Sequence, residues 1–211
     1  MTESVYEINV FNLALGHVGN PTITTGSDSP ECQLYYPFVR DKLLTWAPWK
    51  FATTRQSLSR LAETPPDTEY AYQYAMPTSP YPLRILDIDT QLYRYSREVY
   101  IHPSTPTTQV AVILTNSSTV VVKYIARVSE ALFPPLFTDT LALWLGLAIT
   151  QRLSGKATLR TQIFTELKLQ MERLIDIDGH QDSPPRALND TYILGRGDGT
   201  YLPMEDIEEA L

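Results

Sequence analysis

The stretch 138–153, TDTLALWLGLAITQRL, constrains the fold of this chain more than any other part of it. Placed on a helix, Leu141, Leu143, Trp144, Leu145, Leu147 and Ile149 fall around most of the cylinder. A helix that is apolar on most faces must be covered on most faces. Its uninterrupted apolar run, 141–149, is nine residues long, whereas a membrane span needs about 20. The chain is therefore expected to be soluble, with no membrane partner, and to wrap this helix in other elements. Thr138 is the expected N-cap, Asp139 sits in the positive first turn, and Ser154-Gly155 ends the helix.

Three more helices are predicted. Val5, Ile8, Asn12 and Leu15 recur at helical spacing, and Gly16 and Gly19 can end that helix. A second begins at Pro30, with Ser29 as N-cap and Glu31 in its first turn, and runs to about Trp46 before Pro48. Leu34, Phe38, Asp41/Lys42 and Thr45 lie on its successive turns; Tyr35, Tyr36, Leu43 and Leu44 widen the stripe. The last carries Leu159, Ile163, Leu167, Met171 and Leu174 in a single stripe and ends by Asp178-Gly179.

Between these blocks the pattern changes. From Ser57 to Arg127, short runs of Tyr, Val, Ile and Thr are cut by Pro, Asp and Asn. Residues 70–76 alternate, with Tyr70, Tyr72 and Tyr74 on one face. Further strands are expected at 83–88, 92–95, 98–102, 109–114 and 119–126, with a hairpin turn at 115–118. The fold class is thus α+β. A helical bundle (1–56 and 128–179) carries an inserted antiparallel β domain (57–127) and an extended C-terminal arm (180–211).

Charge sets that arm apart. The net charge is −7. Residues 176–211 hold nine acids and two arginines, while 1–175 balance to zero. An acidic run of this kind is either a solvated tail or an arm that finds a partner electrostatically. Tyr192, Tyr201, Leu202, Met204, Ile207 and Leu211 dot it with apolar anchors suited to a neighbour's groove. Nothing resembles a basic patch for DNA phosphates.

Motifs of chemistry are weak. Gly155-Lys156 is followed by Ala157 and lacks the upstream glycine of a phosphate loop. No strand precedes Gly16-His17-Val18-Gly19, so it is not a dinucleotide fingerprint. Asp176-Ile177-Asp178-Gly179 starts like a calcium loop, but its glycine is fourth instead of sixth and its twelfth residue is Ala187. His17, His102 and His180 lie in three separate segments. Cys32 stands alone, which rules out an internal disulfide, fits a reducing cytoplasm and reads as a packed thiol. The Tyr70, Tyr72, Tyr74 stripe could stack on sugars or bases, but it reads more simply as the core face of a sheet.

Several strings of this sequence resemble the tail tubular protein A family of short-tailed bacteriophages. The first is the helix end Asn12, Leu15, Gly16, Gly19. The second is YPFVRDKLL at 36–44 followed by PWKFATTR at 48–55. The third is YIARV at 124–128, then LFPPLF at 132–137 leading into the apolar helix. Pro77 and Leu83-Arg84 also fit, and the likeness covers about residues 5–178. It implies a structural virion protein: a ring-forming head-to-tail adaptor at the head–tail junction, assembled in the host cytoplasm. Its expected partners are further copies in a twelvefold ring, the portal protein above, and a tail nozzle of tail tubular protein B type below. Double-stranded DNA would pass through the lumen without specific binding. Trp49, Phe51, Arg55, Arg127, Phe133, Phe137 and Trp144 are the candidates for subunit or core packing, and the arm for docking on the portal. The resemblance transfers no catalytic residue, metal ligand or cofactor. The alternatives are a virion-associated cell-wall hydrolase, which needs paired carboxylates or a metal, and a nucleic-acid or receptor-binding module, against which the acidic balance argues.

Overall fold

The computed structural model describes residues 4–65, 69–90, 93–101 and 109–180. Among them the fold is α+β, with four α-helices and two three-stranded antiparallel sheets. Contacts group Met1–Gly179 into one unit. The arm anchors Tyr192, Tyr201, Leu202, Met204, Ile207 and Leu211, together with His102, lie outside the described residues.

Helix α3 (Pro135–Leu153) is the centre of the helical part. It starts three residues before the expected N-cap Thr138. Pro135 takes its first position, where a missing N–H leaves no bond unmade. Phe137, Leu141, Leu143, Leu145 and Ile149 are fully buried. Its cover comes from this same chain: α1 (Val5–Val18), α2 (Pro30–Trp46) and α4 (Ala157–Gly179) all pack on it. The α1–α3 crossing is close. A Cβ on Gly146 would sit 3.3 Å from the Ala14 carbonyl oxygen.

The helices form where expected, but two present different faces. In α1 the buried patch is Val10, Phe11, Ala14, Leu15 and Val18, and Val5 is exposed. Five apolar groups outweigh a stripe that contained Asn12. The Asn12 amide instead holds the following loop, donating to the Ile23 carbonyl at 3.1 Å and accepting from the Ile23 N–H at 2.7 Å. Gly19 closes this helix at φ 82°, a conformation that favours glycine. In α2 the buried set is Cys32, Tyr36, Val39, Leu43 and Leu44, leaving Leu34 and Phe38 outside. Ser29 holds the N-cap position without a side-chain capping bond. The α4 stripe lies as read: Ile163, Leu167, Met171 and Leu174 are buried.

Strands β1 (Thr53–Ser57), β6 (Val121–Ala126) and β3 (Pro82–Asp89) form one sheet in that order. Strands β2 (Tyr72–Ala75), β5 (Gln109–Thr115) and β4 (Tyr95–Ile101) form the other. The expected boundary at 57 cuts through the end of β1. The two runs foreseen at 92–95 and 98–102 are replaced by the single strand β4. The turn at 115–118 does not make a hairpin. The strands it joins belong to different sheets, so it carries the chain across a small sandwich.

Strand β6 serves two cores. Val122, Tyr124 and Ala126 face the sandwich interior with Tyr74, Ile88 and Ile113, while Ile125 packs into the helical core. This is the period-two alternation of a strand buried on both sides. The Tyr74 hydroxyl donates to the Ser117 carbonyl at 2.9 Å, and the Tyr124 hydroxyl to Gln56 Oε1 at 2.9 Å. Each buried tyrosine thus keeps its polar end satisfied. Tyr72 and Tyr74 share the inward face, as the alternation predicted, and the Arg60 guanidinium sits 3.9 Å from the Tyr72 ring centroid.

Candidate functional site

The strings that stood out in the sequence meet in space. Pro48 ends α2 and a short 3-10 turn, Lys50–Ala52, brings Trp49 and Phe51 back over α3. Phe133 and Phe137 flank the double proline that starts α3. Phe137 lies 5.6 Å from Trp49, 4.8 Å from Phe51 and 4.8 Å from Phe133, ring centre to ring centre, all edge-to-face. These are favourable aromatic geometries. Trp49 and Phe137 are fully buried, and the Trp49 indole N–H donates to the Leu43 carbonyl at 2.7 Å. The far end of α4 reaches the same turn. The buried Asp178 carboxylate accepts from the Lys50 N–H, at 3.1 and 3.2 Å to its two oxygens. The tetrapeptide that began like a calcium loop thus contributes a cap to a backbone turn.

A polar chain runs beside the aromatic cluster. Arg127, just beyond β6, bonds Asp41 of α2 through two guanidinium nitrogens. Asp41 also accepts from Arg40 at 3.2 Å, and Arg40 donates to Glu130 at 3.1 Å. The Tyr36 hydroxyl donates to the same Glu130 oxygen at 3.1 Å. Burial, followed by the Glu130 charge, pushes the Tyr36 hydroxyl far above its usual range. Arg84 of β3 donates to the Thr45 and Trp46 carbonyls at the end of α2. Helices and sheet are therefore joined by rings and charges together. Arg55 is exposed on the β1 edge, opposite Lys123, and belongs to neither group.

Trp144 sits elsewhere. It is half-buried on α3, 5.7 Å from the Trp46 ring, with the Lys42 ammonium 5.3 Å from its centroid. Beyond it, Trp144, Leu147, Ala148, Gln151 and Arg160 line a cleft of about 210 Å³. Drug-sized ligands occupy roughly 300–1,000 Å³; this cleft suits one anchoring side chain. Arg160 is held there by Gln151 at 3.1 Å. Sequence reading missed this groove because it forms between α3 and α4, and no stripe on a single helix records it.

Exposed apolar side chains remain on two helices. On α2, Leu34 (52% exposed), Phe38 (71%) and Trp46 (54%) fall on one line with Lys42. On α4, Phe164, Leu169, Ile175 and Ile177 are exposed. Burial raises the Cys32 thiol above its ordinary value, the opposite of an activated nucleophile. Among the described residues no three His, Cys, Asp or Glu side chains converge as a metal site, and no helix is long and apolar enough to cross a membrane. His17 lies 3.8 Å from Asp139.

Comparison with models of known protein families finds no match, and no curated protein matches the sequence.

Proposed function

We propose that this chain is a ring-forming head-to-tail adaptor of a short-tailed bacteriophage, joining the portal to the tail nozzle. The observation that carries the reading is the meeting of PWKFAT and LFPPLF. These are the two most specific strings of the resemblance, and their four rings form one cluster at the joint of helices and sheets. That the two strings share one physical task supports reading them together as one pattern. The exposed apolar line Leu34, Phe38 and Trp46 on α2 and the separate exposed apolar side chains of α4 support side-by-side assembly. Rings form head to tail, so each subunit needs two different surfaces, and exposed apolar patches of this kind mark contacts. The absence of a basic excess suits a channel wall, because each phosphate gripped would slow passing DNA. The acidic arm is the portal-docking segment in this reading.

The test is to mix the protein with the portal protein of the same genome and image the mixture by electron microscopy. Rings stacked on one portal face are expected. Bare portals beside unbound protein would refute the adaptor reading, and a positive zymogram on host cell walls would then favour the hydrolase. Removing residues 180–211 is expected to weaken portal binding while the circular dichroism spectrum keeps its folded shape.

A further inference from the structure

Two helices of this chain carry exposed lines that complement each other. On α2, Leu34, Phe38, Lys42 and Trp46 follow in steps of four residues, all exposed. On α4, Phe164, Lys168, Glu172 and Ile175 follow in steps of four, four and three, and all are exposed as well. Phe164 and Ile175 are eleven residues apart, about three helical turns, so they share one side of α4. Leu169 and Ile177 fall on other sides by the same count. Lys42 lies 5.3 Å from the Trp144 ring centre. Among the described residues, Lys42, Lys168 and Glu172 have no ion-pair partner. Helices α2 and α4 each pack on α3. Both lines stay exposed there, so within one chain neither covers the other.

Rows of residues four apart are the ridges by which helices pack. Laid side by side and parallel, these ridges set Leu34 against Phe164, Phe38 against Lys168, Lys42 against Glu172, and Trp46 against Ile175. An ammonium beside a phenyl ring and an ion pair then fill the middle, with apolar contacts at both ends. The antiparallel arrangement sets Lys42 against Lys168 and Glu172 against Phe38. Charge therefore selects the parallel one. We infer that α2 of one copy docks on α4 of a second copy, in parallel register, with Lys42 paired to Glu172 across the contact. The two lines are different surfaces, so the contact is heterologous, and each copy keeps one line free for the next. The inference rests on the adaptor reading only for the closure of such contacts into a ring, and it names the surfaces by which that ring would hold together.

Charge exchange in the full chain tests this. Lys42→Glu and Glu172→Lys each set like charges against each other across the contact. Both positions are exposed, and circular dichroism checks that each variant folds. In sedimentation equilibrium at low salt the wild type is expected to self-associate, and less so in 1 M salt. Each variant alone should associate about tenfold more weakly. An equimolar mixture of the two should recover wild-type strength, because α2 of each chain then meets the opposite charge on α4 of the other. A chain carrying both changes should recover as well. Association of wild-type strength by either single variant would overturn the inference. So would a mixture that stays weak; if the doubly changed chain recovers in that case, the pair lies within one chain. A wild type that remains monomeric at about 1 mM would overturn it too. Portal binding lost in Lys42→Glu, with self-association unchanged, would also overturn it and assign the α2 line to the portal. The two readings fail separately. Bare portals beside self-associating wild-type protein refute the adaptor alone, whereas rings that stack on the portal regardless of Lys42 and Glu172 refute only the contact between α2 and α4.

Discussion

Truncating one ring at the centre of the aromatic cluster should cost far more than truncating one of the same type outside it. Phe137 is fully buried, with three ring partners within 5.6 Å. Burying a phenylalanine contributes about 1.5–3 kcal/mol, and each aromatic pair adds about 0.5–1.5 kcal/mol. Part of that sum is recovered when neighbours relax into the vacancy. Phe137→Ala is therefore expected to lose about 3–5 kcal/mol, the usual range for a core phenylalanine. Against a total stability of about 5–15 kcal/mol, this is a large fraction. It corresponds to a fall in Tm of about 6–20 °C for a domain of this size. Phe137→Leu keeps most of the volume and should lose little beyond the ring pairs. Phe164→Ala, at a residue 58% exposed on α4, should change stability by no more than about 0.5 kcal/mol. Urea unfolding followed by tryptophan fluorescence measures all three, with Trp49 as reporter. Phe137→Ala and Phe164→Ala within about 1 kcal/mol of each other would refute the view that this cluster locks helices to sheet.

Other perturbations probe the surroundings. Asp178→Ala removes the acceptor of the Lys50 N–H and should cost about 1–3 kcal/mol; Asp178→Asn, which keeps an acceptor, should cost less in the same urea experiment. A double-mutant cycle on Arg127 and Asp41 should give a coupling of about 0.2–1 kcal/mol, because the pair is partly exposed. That coupling should shrink in 1 M salt. Burial raises both Cys32 and Tyr36, so each loses its proton later in the folded chain than in the unfolded one. Their contribution is complete below the unfolded values, about 8.5 and 10, and is lost as pH rises from there toward the folded values. The urea midpoint should fall above about pH 8.5, and Cys32→Val should flatten the first part of that fall. A Cys32→Val profile that superimposes on wild type would contradict this.

The sequence was most legible where one physical demand acted alone. Helix α4 lies on the surface against α3, so its stripe of Ile163, Leu167, Met171 and Leu174 could be read directly. Helices α1 and α2 meet neighbours on more than one side, and the face that won was the one with more apolar volume. Strand β1 was invisible because its Thr-Thr-Arg-Gln-Ser carries no alternation and β6 supplies its pairing. The turn at 115–118 has hairpin composition, yet nothing local records that its two strands enter different sheets. The aromatic cluster was present as two strings without a visible reason for their company. The Asp41, Arg127, Arg40 and Glu130 chain joins residues 86 and 90 positions apart, beyond any periodicity.

The central position of α3 has a consequence for how the chain is made. Helices α1 and α2 leave the ribosome first, but the surface they bury belongs to a helix that ends more than a hundred residues after α2. At about 5–20 residues per second, Phe11, Leu15, Leu43 and Leu44 wait roughly 5–20 s for their cover. Strand β1 waits about two thirds as long for β6. Throughout that interval the nascent chain presents the sticky side of its core to solvent. Its yield in the cell will then be set by chaperone supply and synthesis rate as much as by the stability of the finished fold.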